Sequence, residues 1–340
     1  MQRRTFTRTI FTFGALATLP RFARKPETII GHGAYRYRVE QTWCKANPTT
    51  HPVKDCHEMA MDRTGRIFMS TNDIRNNVLI YNKDGNVLDA WGTEYPGAHG
   101  LTLHDENGTE FLYLTDYERH AVYKLSLKGK LIQEFHAPLE AGIYQQNNEF
   151  NPTETAILPN GDVLIADGYG KDYILLYGPD GKFKQHFGGK GTEASSLNNA
   201  HGVALDTRKK DQPEILVSSR ADNTLKRYDL NGQFLGAVPL PGAYICRPVI
   251  KGDALYFAVL ISKLPWDSQS GFVCILDKEN QLVSVPGGSD PKRLHDTDKL
   301  YQTVQVFKHP HDVLVDADEN VFVTQWNSNG VYPIRLTRIG

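Results

Sequence analysis

Four cysteines in 340 residues, none in a CxxC pair, leave no thiolate pattern for a structural zinc site. Charge of one sign is equally scarce: 38 Lys and Arg stand against 39 Asp and Glu, a formal net charge of −1. A chain so balanced carries no basic field for nucleic acid, and that partner class is set aside. No apolar run approaches the ~20 residues of a membrane-spanning helix. The signatures of several enzyme classes are missing as well: there is no GxSxG elbow, HExxH helix, Walker loop or DxDxDG calcium loop. What the chain does have is turn formers, 29 Gly and 18 Pro, with 10% aromatics and 40% hydrophobic residues. That mixture fits a globular protein of many short strands.

The balance conceals a segregated start. Residues 1–25 hold Arg3, Arg4, Arg8, Arg21, Arg24 and Lys25 and no acid. Paired arginines, Phe6 and a short apolar run from Thr9 to Leu19 follow the layout of a twin-arginine export signal. The expectation is export to the periplasm or beyond, with residues 1–25 as the signal and 26–340 as one domain. Cys44, Cys56, Cys246 and Cys274 then have two options: disulfides, for which Cys44–Cys56 plus Cys246–Cys274 is the local pairing, or buried free thiols.

An internal repeat organises the rest. HGVALD (201–206), EILVSS (214–219), TLKRYDLNG (224–232) and QFLGAV (233–238) form its clearest copy. Others start at His57, His99, Thr153 and His311, and a weaker one near Arg247. Each alternates apolar and polar residues with period two, and NG or DG marks several of its hairpins. Six units of four antiparallel strands make an all-β, six-bladed β-propeller. The last unit lacks its fourth strand, and YRYRVEQTW (35–43) supplies it, closing the ring between the two ends of the chain.

Strands at equivalent positions in the blades line a common axis. The residue opening each innermost strand is His57, His99, Thr153, His201, an unassigned residue near Arg247, and His311. Four of 12 histidines in one repeat column is a candidate Zn²⁺ site, because neutral imidazoles suit zinc and can leave a coordination position open. The alternative for such a column is hydrogen bonding within the channel.

In these residues the chain resembles the NHL-repeat propellers, and residues 151–238 in particular resemble the core of the peptidyl-α-hydroxyglycine α-amidating lyases. The resemblance implies a catalytic zinc on His99 (AHGL), His201 (AHGV) and His311 (PHDV), with His57 as an additional candidate ligand and His309 on the same rim. It implies Tyr169 (ADGYG) as a base and Arg220 (SSRADN) as a clamp on a substrate carboxylate. It also implies a structural Ca²⁺ on Asp312, with the carbonyls of Leu101 and Met59. One departure is clear. Where the lyases carry a further carboxylate-binding arginine this chain has Asn72, and Arg75, three residues on, is the candidate substitute. The cysteines bracing the animal lyase loops are absent too.

The expected activity is a metal-dependent lyase acting on a small-molecule or peptide substrate in the central channel, cleaving the N–C bond of a carbinolamide to an amide and glyoxylate. A metal-dependent lactone or ester hydrolase on the same fold is one alternative. A noncatalytic module binding carbohydrate or protein is another.

Overall fold

A computed structural model describes residues 27–263, 268–293 and 299–339. The export signal expected at residues 1–25 lies outside the described residues. None of the helices described is long and apolar enough to cross a membrane.

The described strands form six antiparallel sheets, five of four strands and one of five. They are the six blades anticipated from the repeat. The innermost strands are Cys56–Met61, Ala98–Glu106, Glu154–Ile157, Ala200–Asp206, Val249–Lys251 and Pro310–Val315. Their register follows the alternation of the sequence: in blade 3, Glu154–Ile157 pairs residue for residue with Val163–Ala166, whose side chains are all buried.

Blade 6 closes the ring. Tyr35–Glu40 pairs with Ile334–Arg338, setting Tyr37 opposite Arg338 and Glu40 opposite Arg335. The expected strand is therefore present but ends at Glu40. Trp43 turns inward instead, packs against Tyr81 and Phe322, and donates its indole N–H to the Lys83 carbonyl at 2.9 Å. A fifth strand, Ile29–His32, hairpins onto Tyr35–Glu40 through Gly33, whose φ of 56° suits a residue without Cβ. It belongs to no repeat, and the periodicity did not reveal it.

The apolar core is divided into clusters between neighbouring blades, and the series runs round the ring without a gap. Nearer the axis, hydroxyls of one blade bond to the innermost strand of the next. Ser70 donates to the His99 carbonyl, Thr115 to Thr153, Thr153 to Ala200, Ser218 to Cys246 and Thr324 to His57. Each helps to satisfy a buried carbonyl next to the axis. The contact at Cys246 identifies the residue left unassigned in blade 5: Cys246 stands in the histidine column, and Arg247 follows it.

All four cysteines are free thiols. The local Cys246–Cys274 pairing is ruled out by the sheet: Cys246 faces the cluster between blades 5 and 6, and Cys274 the cluster between blades 4 and 5.

Candidate metal centre and catalytic cavity

The histidines reach the axis through a local irregularity. In all four innermost strands that carry one, pairing slips at that residue: between Cys56 and Met59, Ala98 and Leu101, Ala200 and Gly202, and Pro310 and Asp312. Bulges of this kind re-aim a side chain. Blade 3, with Thr153 in the column, keeps regular pairing. Glycine follows two of the histidines because the next blade passes close by. A Cβ at Gly100 would lie 2.6 Å from the Thr153 carbonyl oxygen, and one at Gly202 would lie 2.6 Å from the Arg247 Cα.

The four imidazoles meet on the axis. Ring centroids are 4.5 Å apart for His57 and His99, 4.7 Å for His99 and His311, and 4.9 Å for His57 and His311. His201 lies 4.9 Å from both His99 and His311. Candidate ligand atoms of His57, His99 and His311 fall within 4.8 Å of one another. This buried triad can hold a metal ion. It differs from the set implied by resemblance in having His57 where His201 was expected. His201 sits beneath Tyr169, its Nε2 at 3.1 Å from the phenolic oxygen.

The chemistry of the donors fits a cation. Burial holds His99, His201 and His311 well below the ordinary imidazole pKa and takes His57 down to about 3, so all four are neutral at pH 7. His99 engages the Thr153 carbonyl through Nδ1 at 2.8 Å, and His311 engages the His57 carbonyl at 3.1 Å. With Nδ1 thus engaged as the proton-bearing nitrogen, the lone pair of each lies on Nε2, unpartnered in His311 and 3.1 Å from the Tyr169 hydroxyl in His99. His311 Nε2 and both ring nitrogens of His57 are buried without a hydrogen-bond partner. Such orphans cost about 1–3 kcal/mol each unless something binds them.

Around the triad is a cavity of about 430 Å³ lined by His57, His99, His311, Tyr117, Tyr169, Asn199, Arg220, Ala221, Tyr244, Leu260 and Trp326. The Tyr169 ring is 41% exposed at the mouth, while its hydroxyl sits 3.1 Å from Nε2 of both His99 and His201. Asp167 fixes this loop by accepting from the backbone N–H of Asn151 and Lys171 and from the Tyr144 hydroxyl. Burial pushes the Tyr169 hydroxyl up to about 12, against the opposing pull of the Arg220 charge.

Arg220 is buried and donates to the Ile245 carbonyl at 3.2 Å and to the Cys246 sulfur at 3.3 Å. Among the described residues no carboxylate forms an ion pair with it. A buried cation in a cavity wall without an internal counter-charge has the chemistry to receive an anionic group.

Arg75 does not share this cavity. It is held bidentately on Asp73, at 2.8 and 2.6 Å, with a mostly exposed side chain beside a separate surface depression. Asn72 is likewise occupied, in a reciprocal pair with Asp55. His309 contacts the Asn327 carbonyl and packs near Trp326, and it is not in the lining of this cavity.

The calcium cradle expected at Asp312 is filled by an arginine. Arg247 donates to Asp312 at 2.8 and 3.1 Å, to the Met59 carbonyl at 3.0 Å and to the Leu101 carbonyl at 3.3 Å. Every oxygen proposed for the ion is already bound to a guanidinium, and Glu58 and Glu154 complete the surround at 3.2 and 3.6 Å. Burial raises Glu58 well above the ordinary carboxylate value and lifts Asp312 to about 7, with Arg247 pulling both the other way.

The sequence held a signal for this hub. The column after the histidines reads Glu58, Gly100, Glu154, Gly202, Arg247, Asp312: three acids, two glycines and one base. Tyr117, Tyr244 and Trp326 were missed because they stand outside that column, where repeat position says nothing about orientation.

Fold and cavity together define a six-bladed β-propeller with a candidate metal centre on its axis. Comparison with known proteins agrees at low identity. The chain is 24% identical over 306 residues to a probable peptidyl-alpha-hydroxyglycine alpha-amidating lyase of Caenorhabditis elegans, covering 83% of this chain and 80% of that protein. It is 26% identical over 275 residues to peptidyl-alpha-hydroxyglycine alpha-amidating lyase 1 of Drosophila melanogaster, and 27% over 168 residues to human NHL repeat-containing protein 3. It spans 45% of the fly protein and 47% of the human one, and those matches cover 72% and 47% of this chain. No family model matches. Among solved structures, a streptogramin B lyase superposes with a TM-score of 0.56 at 14% identity, over 85% of this chain and 95% of that one. A putative gluconolactonase gives 0.56 at 13%, over 84% and 89%. These two show a shared fold.

Proposed function

We propose that the protein is an exported, metal-dependent lyase that cleaves the N–C bond of a carbinolamide of the peptidyl-α-hydroxyglycine type. The observation carrying this reading is one cavity that combines three convergent neutral imidazoles, a phenol within 3.1 Å of two histidines, and a buried arginine without a carboxylate partner among the described residues. The relatives named as amidating lyases support it.

His57, His99 and His311 would hold the ion, and zinc is the metal proposed. When bound, it supplies Lewis acidity that lowers the pKa of a hydroxyl beside it. Arg220 binds and orients the substrate carboxylate. Tyr169, kept in place by His99 and His201, accepts the proton of the substrate hydroxyl in its ionised form, which the Arg220 charge favours. As the carbonyl of glyoxylate forms, the C–N bond breaks with its electron pair passing to nitrogen. Tyr169 returns the proton to that nitrogen, and the amide leaves. Atoms and charge balance without a co-reactant.

The test is direct. Purified protein is analysed for metal and incubated with an α-hydroxyglycine amide, and glyoxylate is measured. About one equivalent of zinc, with glyoxylate release abolished by a chelator and restored by the metal, is the expected result. Bound metal with lactone hydrolysis and no glyoxylate would instead favour a hydrolase. Export is tested by cell fractionation, with an Arg3→Lys, Arg4→Lys double variant expected to remain in the cytoplasm.

A further inference from the structure

We propose that Arg247 is the built-in structural cation of the propeller hub, doing with a guanidinium what a bound divalent ion would do. Its side chain, delivered by blade 5, gathers oxygens from four other blades. Glu58 and Met59 belong to blade 1, Leu101 to blade 2, Glu154 to blade 3 and Asp312 to blade 6. All are carboxylate or carbonyl oxygens, the donor set that Ca²⁺ takes. Three buried carboxyls around one guanidinium, whose side chain is 12% exposed, form a charge cluster whose parts hold only together.

Position gives the cluster its importance. Glu58 and Met59 follow His57, Leu101 lies two residues beyond His99, and Asp312 follows His311. The guanidinium therefore clamps the strands bearing all three histidines of the triad, immediately below their side chains. It also divides the channel. The histidine cavity opens at the start of the innermost strands, and a second cavity of about 400 Å³, with Arg247 in its lining, opens towards their far ends. Arg247 is thus a positioning residue for the histidines and lines the second cavity rather than theirs. Its effect on metal affinity rests on the metal-site reading above. Its role as hub cation does not.

A tethered cation cannot be chelated, and this separates it from an ion. Wild-type protein is expected to melt within about 2 °C of the same temperature in EGTA and in 5 mM CaCl₂. Arg247→Ala leaves an uncompensated anionic cage, and its melting temperature in EGTA should fall by roughly 6–15 °C. Millimolar Ca²⁺ should restore at least half of that loss, and Mg²⁺ less, since its small octahedral shell fits a wide cage poorly. In chelator-free buffer, Co²⁺ affinity of Arg247→Ala should drop at least tenfold and recover with added Ca²⁺. Arg247→Lys keeps the charge without the fork and should melt between the two. The proposal is overturned if wild type loses more than about 5 °C in EGTA, if Arg247→Ala melts like wild type, or if calcium gives it no recovery. Should Arg247→Ala not fold in any buffer, a lysine variant as stable as wild type refutes the claim that the fork gathers these oxygens, and an intermediate one upholds it. Glyoxylate assays enter none of these arms, so failure of the lyase reading leaves the hub test intact.

Discussion

Replacing Tyr169 by Phe separates chemistry from architecture. The lost hydroxyl lies 3.1 Å from Nε2 of both His99 and His201, but it has a single proton and can donate to only one of them. Removing that bond costs about 0.5–1.5 kcal/mol, and the stranded imidazole nitrogen adds about 1–3 kcal/mol. The variant should therefore lose no more than about 4.5 kcal/mol, within the usual margin of a folded domain. A base, by contrast, contributes about 10²–10⁴ in rate, or about 3–5 kcal/mol of barrier. Glyoxylate release by Tyr169→Phe should fall by that factor while bound metal stays at the wild-type level. The pH profile sharpens the test. With its hydroxyl pushed up to about 12, the reactive phenolate is rare at pH 7 and grows tenfold with each pH unit. The wild-type rate should climb steeply from pH 7 to 9, and the variant should lose that slope. Activity within threefold of wild type, or a flat wild-type profile, would refute Tyr169 as the base. A parallel loss of metal would reassign it to supporting the site.

Arg220→Met should lower kcat/KM for a substrate with a free carboxylate by at least about tenfold, and barely affect one in which the carboxylate is amidated, because a charge-assisted pair is worth about 1.5–3 kcal/mol. Arg75→Ala should change kcat/KM by less than about twofold, since its guanidinium rests on Asp73 beside another depression. His99→Ala and His311→Ala should each abolish metal retention on a desalting column, measured by elemental analysis. His57 is held neutral by a folded-state pKa of about 3 against an ordinary 6.5, so its stabilising contribution is complete above pH 6.5 and is lost as pH falls towards 3. In metal-free urea melts, His57→Gln should lessen the acid loss of stability by about 1.4 kcal/mol per pH unit between pH 6 and 4, and an unchanged slope would refute this.

The ring and its histidine column were legible because the fold repeats: one strand pattern, copied, makes position in the copy equivalent to position about the axis. His57, His99, His201 and His311 could be aligned without knowing a single contact. Blade 5 was the weak copy, with an innermost strand of only three residues, Val249–Lys251, and Cys246 and Arg247 could not be registered there. That gap decided the calcium expectation. Asp312, Leu101 and Met59 were correctly seen to converge, but the cation reaching them is a long side chain from the one blade whose alignment was lost. Arg75 misled for the opposite reason: proximity in sequence to the Asn72 slot carries no information about side-chain direction, and Asp73, two residues away, captures it. His57 and His201 both reach the axis, and the Tyr169 hydroxyl that contacts His201 is placed there by a loop outside the column.

Blade 6 joins strands that lie far apart in the sequence. Tyr35–Glu40 has no neighbour to pair with on one side until Ile334–Arg338 has been synthesised, almost 300 residues later. Until then blade 6 lacks the strand that carries Ile334 and Leu336 into the cluster between blades 5 and 6, and that cluster stays open. Sequence-distant pairing of this sort makes folding slow. Closure of blade 6 is thus the long-range step on which the ring, and with it the convergence of the histidines on the axis, depends.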